Sequence, residues 1–396
     1  AMRSIEDGVV DREGVRGLAR RLHVGERHLH RTFVAELGVP PQAVARAQRA
    51  QTARTLIETT SLSFTEIAFA AGFASIRQFN DTVREVFAAT PTALRAARNG
   101  RTAGAAGRIS LRLPYRTPFN WPVLLRFLGR RALTGVESTD GETFRRTLAL
   151  PHGCGIAWLS DAGDHIRCVL RLDDVRDLSA SVHRCRRLLD LDADPIAVDG
   201  ALASSPVLRE AVAAHPGLRV PGAVDGFELA VRTILGQQVS VEAARTLAGR
   251  LVAASGEPLG APDGDLTHTF PAPAELAAAD LSGVGITAAR RATLQRVSAA
   301  VADGELAFEP GSDREETRRK LLELPGIGPW TASSILMRAL RSPDEFLPTD
   351  LGVKRALQTT DSKAAPEDVA EAWRPWRSYA LQHLWNMPVS PTKEKT

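Results

Sequence analysis

The hydrophobic period of the chain changes twice, and that change limits the folds open to it. Up to about residue 100, apolar residues recur at helical spacing. From Ile109 to Leu178 the pattern becomes short alternating runs, ISLRLPY, TFRRTLAL, GIAWLS and HIRCVLRL, which read as strands of a small antiparallel sheet. The amphipathic stretch SASVHRCRRLLDL (179–191) follows as a helix, and after PGLRVPG (216–222) the helical period runs to about Trp385. The run NGRTAGAAGR (99–108) breaks the pattern as a linker does, and the Pro- and Lys-rich tail PVSPTKEKT is expected to fray. The fold class expected is α+β, mainly α. Residues 1–100 form a helical bundle, 101–108 a linker, 109–200 a small mixed α/β domain, 201–388 an all-α domain and 389–396 a tail.

Other classes fall away on simple counts. The 396 residues make two to four domains. No run approaches ~18 apolar residues, so no membrane span is expected, and the start lacks a basic region followed by an apolar run. Cys154, Cys168 and Cys185 stand far apart, which excludes a disulfide framework or a Cys-rich metal cluster and makes a reducing cytoplasm the default. The net charge of +4 points only weakly to nucleic acid. All but five of the 50 basic residues are Arg. Arg suits phosphate and base-edge contacts, although codon bias towards Arg and Ala accounts for most of that preference.

Two helix–turn–helix units stand in tandem in the first block. VRGLARRLHV, a turn at Val24-Gly25 and GERHLHRTFVAEL form the first, with Leu29, Phe33 and Leu37 as its inner stripe. FTEIAFAAGF, a turn near Ala74 and SIRQFNDTVREVF form the second, with Gly72 at the turn and Phe73 and Phe79 plugging the core. The outward faces then carry Arg27, His28, His30 and Arg31 in one unit, and Arg77, Gln78, Asn80, Asp81 and Arg84 in the other. Arg, Gln and Asn read base edges in a major groove. A plain bundle with a solvated polar face explains one such unit equally well. Two units joined by a long helix (about 40–58) resemble the AraC/XylS-type double helix–turn–helix, and RAQTARTLIETTSLSFTEIAFAAGFASIRQFNDTVREVF looks most like the version in Ada-type alkylation-response regulators. In that family a four-cysteine zinc module normally precedes the block. No such cluster is in this sequence, so the chain either starts after such a module or lacks one.

The sharpest signal is ELPGIGPWTASSILMRAL (323–340) followed by FLPTDLGVKRAL (346–357). The first predicts a helix over 314–324, a hairpin at Pro325-Gly326-Ile327-Gly328 whose glycines can take positive φ, and a second helix opened by Pro329. Backbone N–H groups at that helix start can hold a phosphate without reading sequence. Asp350 follows at the head of another helix, where N-capping is the bland explanation. Hairpin and aspartate together resemble the helix-hairpin-helix DNA glycosylases, in which an Asp at this place is the catalytic carboxylate.

The resemblance narrows to the AlkA-type 3-methyladenine DNA glycosylases, from about Leu111 to about Met387. It is carried by PFNWPVLLRFL, LLDLDADP, FELAVRTILGQQVSVEAA, the hairpin and WRPWRSYALQHLW. It makes 201–388 a helix-hairpin-helix glycosylase domain. It also implies removal of alkylated purines from duplex DNA with Asp350 as the catalytic group and Phe127, Trp330 and Trp385 as pocket aromatics. For each ring a core role is the bland alternative. Family members that also cut the backbone carry Lys where Trp330 stands, so base removal by water alone is implied. A pocket tyrosine of the best-known pattern is replaced by Ser334, and the wedge leucine that fills the gap behind a flipped base is replaced by Gln238. The resemblance further implies a Na+ or K+ on the carbonyls of Leu322, Leu324 and Ile327, and no catalytic cofactor.

The expected protein is thus a monomeric bacterial enzyme of the cytoplasm, working at the nucleoid on damaged DNA and on promoter DNA. The rival is a sequence-specific regulator of the alkylation response whose glycosylase half is degenerate. Two smaller features remain. DLSGVGITAARRATLQRV (280–297), with a second Gly-x-Gly turn before a basic helix, reads as a structural joint or, as the lesser alternative, a further backbone contact, and LTHTF (266–270), with its single His, as a solvated loop.

Overall fold

The computed structural model describes residues 5, 9–22, 24–60, 62–96, 108–309, 311–358 and 365–387. The tail and all of the expected linker except Arg108 lie outside them. In the N-terminal block the helices are α1 (Val9–Arg21, broken at Gly14), α2 (Glu26–Leu37), α3 (Pro41–Thr59), α4 (Phe64–Ala70), α5 (Ile76–Phe87) and α6 (Pro91–Ala96). Leu18, Ala19, Leu29 and Phe33 close the first unit against Ala45 of α3. Leu37, expected on that inner stripe, is 47% exposed, because it ends α2 just before the left-handed Gly38 turns the chain away. The second unit matches its reading: Gly72 is left-handed (φ 82), and Phe73 and Phe79 meet edge-on, 5.6 Å apart, in the core. Ser63 and Glu66 form a capping box on α4, and Ser75 caps α5.

The mixed domain is a five-stranded antiparallel sheet of order β1-β5-β4-β3-β2. Its strands are β1 (Ile109–Pro114), β2 (Glu137–Thr139), β3 (Thr143–Leu150), β4 (Gly153–Asp161) and β5 (His165–Leu172), the four expected runs plus the short β2. Helices α7 (Trp121–Arg130) and α8 (Leu178–Leu188) cover one face, where Leu124, Leu128 and Leu188 meet Phe144, Leu148, Leu159 and Ile166. Residues of the second helix–turn–helix unit join this same core.

The remaining chain forms helices α9 (Pro195–Ala203), α10 (Arg209–Ala214), α11 (Gly226–Leu235), α12 (Val241–Ser255), α13 (Pro273–Ala278), α14 (Ala288–Ala302), α15 (Arg314–Glu323), α16 (Pro329–Arg338), α17 (Leu351–Gln358), α18 (Pro366–Glu371) and α19 (Arg377–Asn386). They pack into two cores. One holds Ile234, Leu251, Leu294, Leu321 and Ile335. The other holds Leu202, Val353, Trp373, Leu381 and Leu384. Helix α16 lies between them, giving Ala332 and Ile335 to the first and Met337 to the second. A site built on α16 therefore sits at the seam of two packed bodies, where side chains from both converge.

One departure from the helical reading is a hairpin of β6 (Glu257–Asp263) and β7 (Leu266–Thr269). LTHTF belongs to it and is no solvated loop. Leu266 is fully buried with Leu259 against Ile156 of the sheet domain, and the Thr267 and His268 N–H groups donate to Gly135 O at 2.8 and 3.0 Å. The 280–297 segment is a joint: Leu281 and Val284 are buried, Gly285 is left-handed (φ 85), and Thr287 caps α14. Among the described residues no helix is long and apolar enough to cross a membrane.

Candidate active site

The hairpin is built by local demands. Asp313 caps α15 through the Glu316 N–H, and α15 ends at Glu323. The turn follows, with Ile327 buried and its N–H on Leu324 O (3.1 Å). Of the two glycines only Gly326 takes positive φ (93°). Gly328 is extended (φ −100°) and caps α16, with Pro329 in the first turn. Gly326 is required twice over, since a Cβ there would lie 2.2 Å from Thr293 Oγ1, which itself donates to Pro325 O (2.9 Å). A Cβ on Gly328 would meet nothing within 4 Å, so the head of α16 opens outward.

Asp350 arrives by a firmly tied loop. Arg318 of α15 holds both carboxylate oxygens of buried Glu345 (2.7 and 2.9 Å) and also reaches Ser333 Oγ (3.1 Å). Ser378 Oγ accepts the Glu345 N–H and donates to Ser342 O. The Asp350 carboxylate then serves both readings made of it. Oδ1 accepts the N–H groups of Gly352 (2.9 Å) and Val353 (3.1 Å), capping α17, and also the Trp385 indole N–H (3.0 Å). Among the described residues Oδ2 accepts only the Trp330 indole N–H (3.2 Å), which leaves it lone-pair capacity for a further partner. Two half-buried indoles from α16 and α19 thus bracket one half-buried carboxylate. Four donors thus converge on this one carboxylate.

Space for this closure comes from Gly352. A Cβ there would stand 2.9 Å from Trp385 Cδ1 and 3.1 Å from Asp350 Oδ1. Ser334, one turn beyond Trp330 on α16, is buried (7% exposed). Phe127 has other surroundings. The Arg131 guanidinium lies 3.8 Å from its ring centroid and that of Arg338 5.1 Å, beside the buried ion-pair cluster of Arg146, Glu137, Glu228 and Arg232. Burial and neighbouring cations push Arg131 down to about 10 and Arg338 to about 9. The Phe127 ring packs with the sheet-domain core, whereas Trp330 and Trp385 pack with the α19 core.

Gln238 is exposed, and its backbone is left-handed (φ 57), a strained state for a non-glycine residue that tends to mark functional positions. In the helix–turn–helix block Arg27, His28, His30 and Arg31 are exposed on α2, and Arg77, Gln78 and Arg84 on α5, with Asn80 half-buried. Gln78 Oε1 accepts the Ala74 N–H (3.1 Å), so its amide donors face outward with their acceptor already engaged. Sequence reading missed Gly352, Gln237 and the Arg318–Glu345 tie. The doubled Gln of ILGQQVS was the one visible trace of Gln237.

Comparison with known proteins agrees with this geometry. The AlkA N-terminal domain family matches residues 110–225, and a helix-turn-helix domain family matches 18–97. A probable bifunctional transcriptional activator/DNA repair enzyme AlkA of Mycobacterium tuberculosis is 50% identical over all of this chain and 81% of its own length. DNA-3-methyladenine glycosylase 2 of Escherichia coli is 36% identical over 69% of this chain and 95% of its own. A solved 3-methyladenine DNA glycosylase of Archaeoglobus fulgidus, 21% identical, shares the fold with a TM-score of 0.59 over 69% of this chain and 96% of that one. With a carboxylate bracketed by indoles behind a helix-hairpin-helix, and with relatives matched along its whole length, the chain belongs to the AlkA family, in the form that carries an N-terminal helix–turn–helix block.

Proposed function

We propose that this protein hydrolyses the N-glycosidic bond of alkylated purines, 3-methyladenine and 7-methylguanine, in duplex DNA, as the first step of base excision repair. The observation that carries this reading is the Asp350 carboxylate, bracketed by Trp330 and Trp385 with one oxygen nearly unengaged. Backbone N–H groups at the head of α16, behind Pro325, Gly326, Ile327 and Gly328, grip a phosphate. The damaged nucleotide swings out at a cost of roughly a few kcal/mol, and Gln238 enters the gap. The cationic purine stacks on electron-rich indoles, a contact of ~0.5–2 kcal/mol. Ser334 leaves room for the base.

The C1′–N bond then breaks. An alkylated purine already carries positive charge and departs neutral, so no general acid is needed, unlike the two-carboxylate glycosidases. The charge passes to the sugar, where Asp350 stabilises it. Water adds at C1′ and gives up a proton, which Asp350 can take. Trp330 has no amine with which to form a Schiff base, so the product is an abasic site in an uncut strand. Carbonyls of Leu322, Leu324 and Ile327 fit a monovalent cation at the turn. Leu324 O accepts one N–H and keeps a lone pair, and a bound ion would add positive charge beside the phosphate. Among the described residues no three His, Cys, Asp or Glu side chains group to hold a metal. The N-terminal block binds promoter-like duplex through Arg27, Arg31, Arg77 and Arg84.

The test is release of 3-methyladenine and 7-methylguanine from methylated duplex DNA. Release by the wild type that vanishes in Asp350→Asn, with DNA binding retained, is the expected result. No release from the wild type, with tight promoter-like binding, would favour the regulator reading instead.

A further inference from the structure

The loop carrying Gln238 is fastened at the residue before it. The Gln237 side-chain amide donates to Gly326 O in the hairpin (2.9 Å) and to Thr331 Oγ1 at the head of α16 (2.9 Å). Its backbone carbonyl accepts from Arg290 of α14 (2.6 Å). That same helix reaches the hairpin from its other side, through Thr293 Oγ1 on Pro325 O. Three separate elements therefore converge on Gln237, and the next residue adopts the strained left-handed backbone. Strain of this kind persists only where surrounding contacts over-determine it.

We infer that Gln237 is a positioning residue for strand opening: it locks the Gln238 loop to the phosphate-gripping hairpin, so that grip and wedge meet the DNA at a fixed spacing. This rests on the reading of Gln238 as the wedge. With the tie intact, seating a phosphate on the hairpin also places Gln238 at the stack, with no further loop ordering to be done. With it cut, the loop relaxes out of the left-handed state and must be re-ordered at each encounter. The hydrogen bonds that hold Asp350, Trp330 and Trp385 do not include it. The burden of losing Gln237 therefore falls on extrusion of a paired nucleotide and spares the bond-breaking step.

The experiment compares single-turnover excision of one 7-methylguanine placed opposite cytosine with the same strand opposite an abasic analogue, where no pair must be broken. Gln237→Met keeps the length of the side chain and removes the amide donors without setting a charge beside the phosphate grip. It is expected to slow the paired substrate roughly tenfold or more, as for two lost hydrogen bonds, and the abasic-partner substrate by less than about threefold. Thr331→Val, which removes one of the two anchors, should show the same split at smaller size. Gln238→Ala, run alongside, tests the underlying reading. If Gln238→Ala slows only the paired substrate while Gln237→Met and Thr331→Val slow neither, or slow both substrates equally, the positioning role is refuted and the wedge stands. If Gln238→Ala shows no dependence on pairing, the wedge reading itself fails.

Discussion

Replacing Gly352 by Ala separates catalysis from stability in this protein. The added methyl would sit 2.9 Å from Trp385 Cδ1 and 3.3 Å from its Nε1. The Gly352 N–H is already fixed on Asp350, so the backbone cannot retreat and the indole must swing away. That breaks the Trp385 contact with Asp350, a hydrogen bond to a charged group worth about 1.5–3 kcal/mol. If it acts in the transition state, the rate of base release falls by roughly 10- to 150-fold. Stability should fall by less than the lost hydrogen bond alone would cost. Gly352 lies in the first turn of α17 with no positive φ, and Ala is the better helix former by up to ~1 kcal/mol. Single-turnover release of 7-methylguanine, read beside the thermal midpoint, gives both numbers. Wild-type release would show that the Trp385 contact is idle. A midpoint lowered by more than that hydrogen bond accounts for would mean the methyl damaged the fold rather than the site.

Gly326→Ala should destabilise with no offsetting gain, because it combines a left-handed backbone, costing ~1–2 kcal/mol, with overlap on Thr293 Oγ1. Its midpoint should fall and its affinity for undamaged duplex should weaken. His383 is 1% exposed, and burial depresses it to about 4. With the folded value below the unfolded ~6.5, its contribution is fully present above pH 6.5 and is lost as pH falls towards 4. The loss reaches at most about 3 kcal/mol. Chemical denaturation at pH 7 and pH 4.5 should show that slope flattened in His383→Gln, and an unchanged slope would exclude His383 as its source. Arg77→Ala should weaken binding of promoter-like duplex and lower the salt slope by about one, while excision from short lesion duplexes stays within twofold or so. Equal loss in both assays would show the two halves acting as one unit.

How far the sequence speaks depends on the range of each demand. The hairpin, Trp330 and Asp350 were legible because LPGIGPW and the capped helix beyond it are local patterns. The second helix–turn–helix unit was legible for the same reason, through Gly72, Phe73 and Phe79. The β6–β7 hairpin was not, since EPLGAPDGDLTHT lacks clean alternation and Leu266 is drawn into strand by Ile156 of another domain. Nothing about a glutamine announces a left-handed backbone, so the strain at Gln238 stayed hidden until Gln237 was seen tied to the hairpin. Gly352 looked like an ordinary helix residue, because the group that forbids a side chain there is an indole from a helix far along the chain. Phe127 matched by position, yet its ring is stacked by Arg131, a contact that no local motif encodes.

The way the acid is mounted bears on how this enzyme can diversify. Glu345, Ser378 and Arg318 fix the acid's loop, and Arg318 also reaches Ser333, while the next residue, Ser334, makes none of these ties. If Ser334 lines the base pocket, as proposed, remodelling position 334 alters which lesions fit while the tied loop stays put. Selection, natural or in the laboratory, is thus free to retune damage preference one residue at a time without first dismantling the chemistry.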